Sequence, residues 1–356
     1  MSSKPLAVLV ALSALLTAAC GSSESDTPQA SGEGGAGSMT TVTVGSPGSS
    51  SDAGLFIADA RGYFKALGVE MDYQTVKGGG DLIPLLSTGR LDVGGLSLNS
   101  GLINAVASGN DLQVVADKGS YTDGSTPSYG ALLVRPDLAG EIKGAADLRG
   151  RSIGVGSAGS ALDVAISDYL ATAGLTTEDV KLTVLGQPER VIALQEGAID
   201  VGFVFEPFLT QALRQGAGEL LVDGGTMIPN QQNAVVVYAG SFADRDKEVA
   251  QNFMSAYVCG LEDYNAAVIE NGEDRDEIIN IIAEATQQPA EDLAETNPIG
   301  LQPDGSLNIS DLERTMQGLA KSGLVTNVVP VDELVNTEFL EGAMPCDELR
   351  DMAAGA

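Results

Sequence analysis

The chain contains no histidine and no tryptophan. Without histidine it can build neither a Ser-His-Asp nor a Cys-His catalytic centre, and the common zinc sites are lost as well. A carboxylate or lysine enzyme stays possible, but these absences weigh against an enzyme, and no cofactor or metal is expected. Positive charge is also scarce. Nineteen Lys and Arg face 49 Asp and Glu, a formal net charge of −30. Such a balance argues against a nucleic-acid partner or a strongly anionic surface. Cysteine is limited to Cys20, Cys259 and Cys346.

A hydrophobic content of 44% and a mean hydropathy of +0.10 fit a folded soluble protein. The first residues stand apart from that body. Lys4 precedes an apolar run from Leu6 to Leu16, then Thr17-Ala18-Ala19, then Cys20. A charged start, a short apolar core and small residues read as a secretory signal over 1–19, too short for a membrane span. Cysteine directly after the small residues resembles the lipobox of bacterial lipoproteins, in which the cysteine sulfur receives diacylglycerol. The resemblance implies lipidation of Cys20 and an extracytoplasmic, membrane-anchored location. An ordinary cleaved signal is the alternative. Gly21 to Ser38 has no large apolar residue and cannot offset its chain entropy by burial, so 20–39 is expected to be a flexible tether.

About 318 residues remain, enough for two lobes with a core each. Thr41 to Val44 is a β-branched strand. Leu55, Phe56, Ala60, Phe64 and Leu67 predict one helix over about 52–67, ended by Gly68. Further strands are expected at 69–76, 91–96 and 112–116, with short helices at 82–87 and 102–107. The stretch 121–129, rich in Ser, Thr, Gly and Pro, reads as a crossing between lobes. A second set follows, with strands at 131–134, 152–155, 180–185 and 201–205 and helices at 160–173, 190–195 and 209–215. A second crossing spans 223–233, before a strand at 235–238. Helices are expected at 247–269, 276–285 and 310–321, the last capped by Ser310 with Glu313. Alternating strand and helix predicts largely parallel sheets covered on both faces. The expected division is 40–125 for the first part of lobe 1, 126–226 for lobe 2, and 227–356 for the return to lobe 1.

Three strand-to-helix junctions are rich in hydroxyls and small residues: 46–52, 97–100 and 152–163. Their open backbone N–H groups and positive helix ends suit a polar or anionic group, although N-capping alone also explains Ser and Asn there. Asp304, Gly305 and Asn308 imitate a calcium loop, but Gly300 holds the position that needs a carboxylate, so no EF-hand is expected.

Leu148-Arg149-Gly150-Arg151-Ser152-Ile153-Gly154-Val155 is similar to a strand-entry passage of ABC-importer solute-binding proteins. Ala193 to Phe208, with Gly197, Asp200, Glu206 and Pro207, resembles the nitrate, taurine and aliphatic-sulfonate branch, which includes binders of thiamine-pyrimidine precursors. Gly62-Tyr63-Phe64, Leu67-Gly68-Val69, 301–308 and 339–343 fit the same pattern. The resemblance implies a type II periplasmic-binding-protein fold: two α/β lobes joined by two crossings, with a ligand cleft between them. It implies a monomer that hands a small organic nutrient to a permease with its ATPase. A subunit feeding a sensor, or a histidine-free enzyme on the same fold, are the alternatives. Carried over by position, the substrate contacts are Ser46, Ser49, Ser97, Asn99, Ser157, Ser160, Phe205 and Glu206, with Asn230 to Asn233 on the return crossing as secondary candidates. Glu206 has two readings, a ligand acceptor or a structural cap. Lys77, Lys118 and Arg190 read as solvated surface charges. In an oxidising compartment Cys259 and Cys346 are expected to pair, with two buried thiols as the alternative.

Overall fold

The computed structural model describes residues 39–76, 79–121, 128–156 and 159–355. The expected signal, tether and lipidation at Cys20, together with Ser157 and Lys77, lie outside the described residues.

Two five-stranded sheets share one plan. The first holds β1 (Thr40–Ser46), β2 (Val69–Thr75), β3 (Val93–Ser97) and β4 (Leu112–Ser120). The second holds β5 (Gly130–Val134), β6 (Ser152–Val155), β7 (Lys181–Val184), β8 (Val201–Phe205) and β9 (Glu219–Asp223). The chain then returns to the first sheet as β10 (Gln232–Ala239). The strand orders are β2-β1-β3-β10-β4 and β7-β6-β8-β5-β9. β1 pairs in parallel with β2 from Thr40 opposite Val69 to Ser46 opposite Thr75, while β10 runs antiparallel to β3 and β4. In the second sheet β5 plays the part of β10, antiparallel to β8 and β9.

The sheets are therefore mixed and not largely parallel. In each, a strand entered from a crossing runs against its neighbours, which periodicity cannot reveal. β9 carried too weak a pattern to be foreseen: it is a half-exposed edge strand, with Leu220 54% exposed.

The helix expected over 52–67 is broken. A 3₁₀ turn (Ser50–Asp52) leads into Ala53–Ala60, and Gly62 at φ +74° separates this from Tyr63–Ala66. Leu55, Ile57 and Phe64 are buried on both sides of the break, so the apolar spacing runs through it unchanged. The helix Ala53–Ala60 lies against Lys247–Tyr264. A Cβ on Gly260 would fall 2.1 Å from the Gly54 carbonyl, so only glycine allows this approach. Helix Ile309–Lys321 is capped differently from expectation: Asn308 accepts from Asp311 N at 3.2 Å, and Ser310 sits in the first turn, donating to Asn308 Oδ1. Asn308, two residues earlier, holds its amide oxygen at the open N–H groups of the first turn.

One apolar core runs through both lobes, from Val42 and Val44 to Ile153 and Val201, and a smaller one backs β5 and β8 around Leu133 and Leu194. Cys259 and Cys346 are joined, with S–S 2.12 Å and Cα–Cα 5.2 Å, fastening helix Cys346–Ala354 to helix Lys247–Tyr264.

Candidate functional site

A cavity of about 390 Å³ opens between the two sheets, at the carboxyl ends of β1, β3 and β8. Its polar end is built by the turn after β1. Asp52 is fully buried there and gathers four donors. Lys118 Nζ lies 3.0 Å from Oδ1, Ser46 Oγ donates to Oδ1 at 2.5 Å, and Ser49 N and Tyr73 Oη donate to Oδ2 at 3.0 and 3.3 Å. Lys118 also donates to Ser51 Oγ at 2.5 Å, and Ser51 Oγ is 2.8 Å from Ser49 Oγ. Burying two charges is tolerable only with such complete pairing. Lys118 reaches this point across β3 because residue 95 is glycine. A Cβ there would meet Lys118 Cε at 2.3 Å and Ser46 Oγ at 2.6 Å.

The surface reading of Lys118 and Arg190 is thus overturned: each is 2% exposed. Lys118 lies in β4, where both faces are covered, and pairs with Asp52. Arg190 is held behind the second sheet by the carbonyls of Leu185 and Phe203, against Gly154 and Gly156. With no carboxylate bonded to it, burial lowers its pKa to about 10.

The second lobe contributes Tyr129, Gln187 and the segment after β8. Tyr121, Tyr129 and Phe205 form a stacked column, with centroids 4.7 and 5.7 Å apart, and Tyr129 and Phe205 reach the cavity wall. Glu206 follows and is joined to Pro207 by a cis peptide. Its carboxylate accepts from Thr210 N and Oγ1 at 3.0 and 2.9 Å, and from Asn297 N and Nδ2 at 3.1 and 2.9 Å. Burial raises its pKa, and these four bonds oppose the rise. Glu206 therefore both borders the cavity and ties the second lobe to the segment after helix Ala290–Glu295. Arg214 and Glu295 form an exposed ion pair between the same two regions.

The third wall is apolar. Val268, Ile279, Ile282 and Leu293 supply it, with Arg275 and Gln288 among them. Arg275 Nη2 donates to the Ala294 carbonyl at 3.0 Å, and Gln288 Oε1 is buried without a hydrogen-bond partner.

Of the expected contacts, Ser49, Ser97, Phe205 and Glu206 line the cavity. Ser46 lies one layer behind, spent on Asp52 and the Gly95 carbonyl. Asn99 and Ser160 meet elsewhere, at the junction of the lobes. Asn99 caps helix Ser100–Ala107 by accepting from Leu102 N, and Ser160 caps Ala161–Ala171 in a capping box with Asp163. Around them Ser100 N donates to Gly159 O at 2.8 Å and Ala161 N to Leu98 O at 3.0 Å. These backbone bonds close the lobes on each other, so the two side chains serve caps and the interface. Asn230 is an exposed turn residue at φ +57° whose carbonyl accepts from Asn308. Its neighbour Asn233 lines the cavity.

Sequence reading missed Gln187 and the whole apolar wall, held Asn233 only as a weaker candidate, and took Lys118 for a surface charge. Only Lys118 carried a signal: an Asp117-Lys118 pair at the end of a strand otherwise apolar. Asp117 is fully buried too, accepting from Gln232, Gly119 N and Gln302 N, and burial pushes its pKa up to about 6.

Comparison with known proteins follows this geometry. Over 179 residues the chain is 26% identical to the putative aliphatic sulfonates-binding protein of Escherichia coli (strain K12), a match covering 50% of this chain. The chain spans about half the length of that curated relative, 53% of it. Among solved structures, the periplasmic aliphatic sulphonate binding protein of Escherichia coli superposes with a TM-score of 0.66 at 21% identity, covering 83% of this chain and 92% of the other. The periplasmic nitrate-binding protein of Synechocystis PCC 6803 gives 0.63 at 15% identity, covering 89% of each. At these identities the superpositions establish the fold, a periplasmic-binding-protein architecture of two α/β lobes, and not the ligand. The family profile that matches residues 35–283, more than half of the sequence, is the NMT1-like family, and the chain belongs to it.

Proposed function

We propose that this protein is the extracytoplasmic solute-binding component of an ABC importer, anchored by lipid on Cys20. It captures a small organic nutrient between its lobes, of sulfonate, taurine or nitrate type or of pyrimidine type, and delivers it as a monomer to a permease with its ATPase. The observation that carries this reading is the cavity, whose walls come from both lobes and combine a hydroxyl-rich end with an apolar body. A solute that touches both lobes favours the closed arrangement by its differential affinity, and that difference is what a permease can sense. The sulfonate-binding relative and the fold support the same reading.

The test is native mass spectrometry of the protein purified from its own host, beside a Ser97→Phe variant whose ring fills the cavity. An adduct on the wild type that is lost from an equally folded variant supports the proposal. Turnover of that adduct by the isolated protein would move the reading to an enzyme.

A further inference from the structure

We infer that the solute carries no full charge: it is a largely apolar organic molecule with a hydrogen-bonding group at one end. The inference rests on the reading of the cavity as a solute site, narrows the solute types proposed above to the uncharged, pyrimidine-like one, and departs from the anions bound by the named relatives.

The first support is the balance of charge. The ionisable side chains with charge on the wall are Lys118, Glu206 and Arg275. Lys118 is neutralised by Asp52 at 3.0 Å, and the fully buried Asp52 already takes donors from Ser46, Ser49 and Tyr73. An anion placed at the hydroxyl end would therefore meet a dipole and not a cation. Glu206 accepts four hydrogen bonds from Thr210 and Asn297, while Arg275, opposite in sign, gives one N–H to the Ala294 carbonyl. Taking a sulfonate or nitrate out of water costs heavily unless a charge is supplied in return. Counted with Asp52, the charges along this wall sum to zero.

Polarity gives the second support. The hydroxyls of Ser49, Ser51 and Ser97 and the amides of Asn233 and Gln187 can each donate or accept, as recognition of a neutral polar group requires. Away from this end, Phe205, Phe208, Ile279, Ile282 and Leu293 offer only carbon surface. The third support is size. A volume of about 390 Å³ sits within the roughly 300–1,000 Å³ typical of sites for organic ligands, and a nitrate ion would leave most of it unfilled.

The experiment is titration of the full-length chain with N-phenyl-1-naphthylamine, an uncharged fluorescent probe, against 1-octanesulfonate, taurine and nitrate. The uncharged probe should bind at one site lost in Ser97→Phe, at least about tenfold more tightly than any of the three charged ligands, which is one RT ln 10 step. Asp52→Asn should raise affinity for 1-octanesulfonate about tenfold or more by unmasking Lys118. Because that change could unfold the protein, its urea midpoint is measured beside wild type, and probe binding to the wild type is also titrated from low to high salt, where the affinity for an uncharged solute should hold within about threefold. An octanesulfonate, taurine or nitrate that outcompetes the probe overturns the charge inference and leaves the solute-binding proposal standing. No cavity binding by any of the four, and no copurified adduct, overturns both.

Discussion

At the residue scale the decisive group is Asp52, because it determines what Lys118 can do. Four donors converge on its carboxylate, and Gly95 leaves the lane along which the lysine arrives. Gly95→Ala should therefore push Lys118 off Asp52. The expected cost is about 1–3 kcal/mol from an imperfectly paired buried charge, read as a lowered urea midpoint. An unchanged midpoint would show that Lys118 shifts without losing its partner. Glu206 makes a parallel case. Glu206→Ala removes the acceptor of four bonds to Thr210 and Asn297, and a loss of about 1–3 kcal/mol is expected in the same assay. Asn297→Ala should reproduce part of the loss, and a double-mutant cycle showing no coupling would refute the link.

At the element scale, two helices whose contacts lie far apart in sequence shape the molecule. Helix Lys247–Tyr264 holds Cys259, and helix Cys346–Ala354 begins with its partner, 87 residues on. Breaking that bond should cost about 2–5 kcal/mol, mostly through the freedom regained by the unfolded chain. Cys259→Ser/Cys346→Ser against wild type in denaturant measures it. Intact mass after alkylation without reductant should show no labelled thiol at these positions, and two labelled thiols would defeat the prediction. Helix Arg275–Thr286 and helix Ala290–Glu295 matter for the site, since they bring Ile279, Ile282 and Leu293 over the cavity.

At the scale of the whole molecule, charge and burial act together on pH dependence. Asp117 has its pKa pushed up to about 6 by burial, and burial also raises Asp59, Asp163 and Glu206. A carboxyl group raised in the folded state binds its proton more tightly there than in the unfolded chain. Its stabilising contribution is complete below the unfolded value near 4 and is lost as pH rises through about 6. Lowering the pH also relieves the repulsion within a chain of formal charge −30. Unfolding free energy should therefore be higher at pH 5 than at pH 7.5, and added salt should shrink only the repulsive share. Stability that climbs steadily from pH 5 to 7.5 would contradict this. Cys20→Ser tests attachment at the same scale. The variant should leave the membrane fraction, and equal retention with wild type would end the lipid-anchor proposal.

The sequence by itself determined the two-lobed α/β plan, because alternating strands and helices, and a close family resemblance, are written locally. It also marked Ser49, Ser97, Phe205 and Glu206, which sit at strand ends or in the turns just after them and line the cavity. What it left open depended on neighbours distant in the chain. Lys118 read as a surface charge because its partner is 66 residues away at Asp52 and the covering face of the sheet is not visible locally. Asn99 and Ser160 looked like ligand contacts, as polar helix starts do, and only the packing of one lobe on the other turned them to the junction. The apolar wall was equally hidden, since Ile279 and Ile282 have the spacing of any amphipathic helix. Which buried stripe faces a core and which faces a cavity is decided by what the tertiary structure sets opposite it, and no local pattern carries that information.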